Sequence, residues 1–252
     1  MSEPVISIEG EAAAPRQFRY FDIVMAAFVA ILLLSNIIGA AKLSAVAVPW
    51  WPHGWWPAED GIFVFGAGIL FFPVSYVIGD VLTEVYGYAR ARRCIWVGTG
   101  AMLFMAFMSW VVVSLPPAAV WDGQDAYESV FGQVPRIVAA SIVAFWAGEF
   151  VNAFVLARMK VWTQGKALWS RTIGSTVFGQ AVDSAIFYPV AFLGVWDTNA
   201  VLIVMVTNWA LKVAWEAVLT PVTYGVVARL KKAEGIDIFD TDTDFSPFGK
   251  TA

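Results

Sequence analysis

The sequence predicts an all-α membrane protein of six transmembrane helices with both termini on the cytoplasmic side. Three observations carry that reading. Of 252 residues, 59% are hydrophobic and only 14% charged, with a mean hydropathy of +0.68. Soluble domains carry roughly 25% charged residues, and a chain of this length cannot hide so much apolar surface from water. Six apolar stretches are each long enough to cross a bilayer, which takes about 20 residues. The basic residues, finally, gather at alternate connections between those stretches.

Taken in order, residues 1–19 form a polar, acidic segment ending near Arg16 and Arg19, unlike the basic opening of a secretory signal. Span one is Tyr20–Lys42. Ala45-Val46-Ala47 after it has the small-residue character of a cleavage site, but the preceding run is longer than a signal's apolar region, so the helix is expected to be retained. The loop VPWWPHGWWP carries four of the 13 Trp. It reads either as an interfacial aromatic belt or as a lid whose indoles stack on a flat ligand, with His53 as a polar tip. Span two is Ile62–Gly79, which Pro73 should bend and which can continue helically through Asp80 and Glu84.

Span three is Ile95–Leu115, span four Ile137–Ala157, span five Thr172–Val195 and span six Ala200–Ala228, with Pro189 and Pro221 as expected kinks. Residues 20–230 thus make one transmembrane domain. Residues 231–252 read as an acidic cytoplasmic tail, solvated, because DTDTD lacks the glycine and terminal glutamate that a calcium loop needs. Of the 16 Lys and Arg, 13 fall before span one, between two and three, between four and five, or after six. By the positive-inside rule those segments are cytoplasmic, and the arginines after Glu84 are a topological anchor.

Composition also excludes function classes. Net charge is −4 and the basic residues form short clusters, which argues against nucleic-acid binding. One cysteine, Cys94, and one histidine, His53, rule out a disulfide framework and a Cys/His zinc site. They lie at opposite ends of the predicted bundle, so no Ser/His/Asp or Cys/His arrangement forms. The chain reads as a non-enzyme without a metal or cofactor, its partners a small molecule and the bilayer. Homo-oligomerisation is compatible with this pattern.

Polar groups at membrane depth are costly and usually face a cavity or one another. Span one offers Ser35 and Asn36, and span two ends in Asp80, Thr83 and Glu84. Span four has Glu149 and Asn152, span five Thr176, Gln180, Asp183 and Ser184, and span six Asn208, Lys212 and Glu216, all near turn spacing. One reading is an interhelical salt-bridge network, in which Lys212 and Glu216 satisfy each other. The other is a binding cavity, favoured because helices in lipid pack with small residues alone. The expected lining is Asn36, Glu149, Asn152, Gln180, Asp183 and Asn208. Asp80, Glu84, Lys212 and Glu216 would be structural or coupling groups, Lys212 balancing the carboxylates. A carboxylate accepts paired N–H donors, amides read donor–acceptor edges and aromatic rings stack, so the set suits a nucleobase or another planar N-heterocycle.

FPVSYVIGDVLTEVYGYARARR, GEFVNAFVLARMKVWTQGKALWSRTIGSTVFGQAVDSAIF and VVARLKKAEGIDIFDTD resemble the queuosine precursor transporter family, also described as a vitamin uptake transporter family. The resemblance runs from about Phe21 to Asp242, with DVLTEVYG and RTIGSTVFGQAVDS its most specific motifs. It implies import of 7-cyano-7-deazaguanine, 7-aminomethyl-7-deazaguanine or the queuine base across the bacterial inner (cytoplasmic) membrane, in support of tRNA modification. It also implies a six-helix fold like the substrate-binding subunits of energy-coupling-factor transporters, acting without the ATPase module. The alternative is a binding subunit that needs a partner ATPase for another planar heterocycle or vitamin. Asp80 and Glu84 match the acids of DVLTEVYG, either touching substrate or holding helices together.

Overall fold

The chain is described by a computed structural model over residues 18–39, 43–50, 62–66, 70–131, 135–194 and 198–249. His53 and most of the Trp-rich loop lie outside these residues, as do Arg16, Lys42 and Lys250. Among the described residues seven α-helices follow in order: α1 Phe21–Leu34, α2 Phe72–Tyr86, α3 Tyr88–Ser114, α4 Gln124–Phe131, α5 Pro135–Trp162, α6 Leu168–Phe192 and α7 Thr198–Glu234. Among the described residues three stretches are long and apolar enough to cross a membrane: Phe21–Ile38, Tyr88–Ser114 and Ala139–Trp162. Helices α6 and α7 have the length, at 25 and 37 residues, but carry more polar groups.

Two departures from the expected helices occur near the start. Span one ends early, because α1 widens into a π-helical segment at Ser35–Gly39. There the Ser35 hydroxyl and the Asn36 amide both donate to the Leu32 carbonyl, at 2.8 Å each. Such side-chain competition for a backbone acceptor is a common cause of helix distortion. Span two does not begin as a helix. Ile62–Gly66 (β2) pairs antiparallel with Leu43–Ala47 (β1), Leu43 opposite Gly66 and Ala47 opposite Ile62. The fold is therefore helical with one short hairpin rather than purely α. Pro73 lies in the first turn of α2, where its missing N–H costs nothing, and does not bend a span. Pro189 and Pro221 are held inside continuous helices.

The helices alternate in direction, and their ends meet where the Lys and Arg clusters lie. We call this the basic end. Glu234, at the end of α7, accepts the backbone N–H groups of Arg19 and Tyr20 at 3.0 and 2.7 Å, and the Tyr86 hydroxyl at 3.1 Å. A carboxylate here satisfies N–H donors that the start of a helix leaves free. Gly87, at φ 83°, separates α2 from α3 by a single residue. Its conformation disfavours any other residue, and a Cβ would also sit 2.9 Å from Ile238. The buried apolar cluster of Phe28, Leu82, Tyr86, Cys94, Ile95 and Phe150 spans α1, α2, α3 and α5. Phe104, Phe107, Trp110, Phe178 and Val218 are more than half exposed, as lipid-facing residues are.

In the tail Asp237, Asp242 and Asp244 are exposed, whereas Asp240 is buried. Residues 235–249 fold back over the basic end. The Asp240 carboxylate accepts the Tyr88 N–H at 3.2 and 3.1 Å, capping α3. Arg92 donates to the carbonyls of Asp244 and Ser246 at 2.7 and 2.6 Å, and the Trp96 indole to that of Pro247 at 2.9 Å. Arg92 is buried, so part of the expected topological anchor is committed to holding the tail.

Candidate functional site

Close approach of α5 and α6 creates the site. Gly148 and Gly179 face each other: a Cβ on either would lie 3.0 Å from the other's carbonyl oxygen, and one on Gly179 would be 2.7 Å from the Asn152 Cβ. Only small residues permit such contact between helices in lipid. It carries Glu149 on α5 next to Gln180 and Asp183 on α6.

These residues open onto a cavity of about 250 Å³ bounded by α1, α2, α3, α5, α6 and α7. Its polar lining includes Asn36, Glu149, Gln180, Asp183, Asn208 and Lys212. Five of the six residues expected from turn spacing thus share one space. The sixth, Asn152, is absent from the lining. It lies one turn nearer the basic end, where the Gly179 contact has closed the gap between helices, and its Oδ1 is buried without a partner among the described residues. Aromatic side chains supply the remaining walls: Phe71, Tyr76, Phe145, Phe187 and Tyr188. Sequence reasoning missed these, because an aromatic residue in an apolar stretch reads as lipid-facing. Tyr76 had a signal, being one turn before Asp80.

Within the cavity Lys212 donates to Asp183 at 2.6 Å, with side chains 13% and 19% exposed. The intrahelical Lys212–Glu216 pairing considered above does not form among the described ion pairs. Glu149 shares the cavity lining with this pair, so the lining holds two carboxyl groups and one ammonium. The cavity thus sets acidic groups beside aromatic faces. Such a site can accept a pair of N–H donors from a flat ring and sandwich that ring between aromatic groups.

Neither acid of DVLTEVYG lines the cavity. Glu84, fully buried, accepts Arg171 through two bonds of 2.7 Å and Lys231 at 2.6 Å, with Lys160 3.6 Å away. Lys160 and Lys231 also meet Asp237 at 2.7 and 2.8 Å. For Asp237, partial burial favours the neutral acid, but hydrogen bonds from Lys160 and Lys231 outweigh it and hold the carboxyl below its ordinary range. Glu84 thus bonds α2 to α6 and α7 at the basic end. Asp80 is buried farther in, against Glu216.

The family model described as "Putative vitamin uptake transporter" matches residues 66–226. A "Probable queuosine precursor transporter" of Bacillus subtilis (strain 168) is 32% identical over 168 residues, covering 66% of this chain and 73% of that protein. The "Queuosine precursor transporter" of Escherichia coli (strain K12) is 29% identical over 125 residues, 50% of this chain and 54% of that protein. A "Probable queuosine precursor transporter" of Haemophilus influenzae is 27% identical over 135 residues, 54% and 55% of the two chains. No solved structure matches.

Proposed function

The chain belongs to the vitamin uptake transporter family, and from that premise we propose that it imports queuosine precursors. It is a multi-pass membrane protein. In the proposed arrangement it crosses the bacterial cytoplasmic membrane six times, through α1, α2 with its hairpin, α3, α5, α6 and α7. The basic end is cytoplasmic, in keeping with the positive-inside rule, and the cavity lies toward the outer side. The six-helix arrangement is taken to be like that of solitary energy-coupling-factor substrate-binding subunits.

The substrates are 7-cyano-7-deazaguanine and 7-aminomethyl-7-deazaguanine, with queuine as a further candidate. One observation carries the reading: Glu149, Asp183, Gln180, Asn208 and Asn36 converge on one aromatic-walled space. A deazaguanine offers N1–H and the exocyclic amine side by side, which one carboxylate of the Glu149–Asp183 pair accepts. The amides of Gln180 or Asn208 serve the ring carbonyl. Adenine lacks the N1–H donor and would leave a buried acceptor unpaired, which disfavours it.

The test is equilibrium binding and uptake of labelled deazapurines by purified protein in liposomes without ATP or any partner. Saturable uptake competed by 7-substituted 7-deazaguanines, and poorly by adenine, is the expected result. Uptake of adenine on equal terms, or binding of biotin in their place, overturns the substrate. A strict need for an added ATPase module overturns independent action.

A further inference from the structure

A second group of acids lies deeper than the cavity and is left unused by substrate recognition. Asp80 is four residues past Tyr76 on α2, and Glu216 four past Lys212 on α7, so each is about 6 Å farther along its helix toward the basic end. Their carboxyl groups face each other. The two residues are 1% and 0% exposed. None of the four carboxylate oxygens has a hydrogen-bond donor among the described residues. Asp80 is also faced by Glu84 of its own helix and by Glu149 of α5, and Glu216 by the Tyr76 phenol of α2 and by the Thr176 hydroxyl of α6 without a well-formed bond. The cations of the adjoining layers are engaged elsewhere: Lys212 by Asp183, and Arg171, Lys160 and Lys231 by Glu84 and Asp237.

Two ionised carboxylates in a dry interior are opposed both by desolvation and by mutual repulsion, with no cation paired to either among the described residues. A single proton held between them removes one charge and supplies the missing donor. We propose that the Asp80–Glu216 pair is a proton-binding site that couples substrate entry to an inward proton gradient. It rests on the transport function proposed above. A proton arriving through the cavity is held on the pair while the Glu84 cluster keeps the basic end shut. When that cluster parts, the same proton leaves to the cytoplasm in the cycle that releases substrate, and no substrate bond changes.

The experiment uses the full chain in liposomes containing a trapped pH dye, the outside one pH unit more acidic, with 7-cyano-7-deazaguanine as probe. One proton per substrate supports accumulation up to about tenfold at that gradient. Internal acidification should track substrate entry, and a protonophore should abolish accumulation. Asp80→Asn and Glu216→Gln should still bind the base but lose gradient-driven accumulation. Accumulation that survives the protonophore, or depends on sodium instead, overturns the proposal, and so does wild-type accumulation by both variants. Where the variants fail to fold, the protonophore and sodium measurements on wild type decide alone. Infrared spectroscopy at neutral pH gives a readout independent of transport: a protonated carboxylic acid band that either substitution shifts or removes. Absence of that band in the wild type overturns the site even if substrate binds. Its presence in a protein that binds no deazaguanine supports the proton site and refutes the substrate reading.

Discussion

Glu84 and Glu149 are both acids set in helices of an apolar bundle, yet their surroundings differ in kind. Glu84, at the basic end, is met by Arg171, Lys231 and Lys160, and those lysines are met in turn by Asp237. Glu149, at the cavity, lines open space beside an Asp183 that is already bonded to Lys212. The fully paired end holds helices together. The underpaired end has acceptor capacity for a ligand's donors. Charge in a membrane protein is thus best sorted by how completely it is compensated, not by how deeply it is buried.

The sharpest way to break this contrast is to unbalance the paired end. Glu84→Ala leaves three cations facing one partly exposed aspartate and should destabilise the fold by about 3–5 kcal/mol, read as thermal unfolding and loss of monodispersity in detergent. At the other end, Glu149→Gln should cost binding about 1.5–3 kcal/mol, the range for hydrogen bonds to charged groups, with little change in melting temperature. Asp183→Asn should lose binding similarly, with some added instability because Lys212 loses its partner. Amide variants at both positions that fold and bind like wild type would make these acids scaffold.

A smaller effect tests what brings the cavity acids together. Gly179→Ala forces α5 and α6 apart against backbone and the Asn152 Cβ, costing about 1–3 kcal/mol as overpacking does. It should weaken binding as well, which calorimetry on the folded fraction would detect. Asp240→Ala removes the cap on α3 and should cost about 1 kcal/mol, measured as a lower melting temperature with substrate affinity unchanged.

The smallest effect is in pH. Asp237 has its carboxyl held below the ordinary 3.8, so its contribution is fully present above that value and is lost as pH falls through the lower folded value. Melting temperature should therefore drop on the acid side of about pH 4, and Asp237→Asn should flatten that part of the curve. An unchanged acid limb would show that Lys160 and Lys231 gain nothing from this partner.

The sequence made α3, α5, α6 and α7 legible because their apolar runs exceed what a strand can use. It misled at Ile62–Gly66, since a continuous apolar run of five residues has no periodicity to separate strand from helix. Turn spacing found five lining residues because spacing reports which side chains share a face. It could not report that Gly148 and Gly179 meet and exclude Asn152, which depends on two helices far apart in sequence. Arg92, Lys160, Arg171 and Lys231 were counted correctly as basic-end residues, but counting says nothing of whether a side chain turns outward to headgroups or inward to Glu84. The docking of the tail was hidden for a related reason. Asp237, Asp242 and Asp244 are exposed, as composition suggests, yet Asp240 has a backbone partner 152 residues away.

The bond from the Arg19 N–H to Glu234 spans 215 residues. At roughly 5–20 residues per second of synthesis, the first helix waits on the order of 10–45 s for the residue that caps it. During that interval its leading N–H groups must be satisfied by water or lipid headgroups. Completion of the first element is therefore one of the last events in assembly, and a nascent chain stalled before Glu234 carries an unfinished opening helix as well as a missing end.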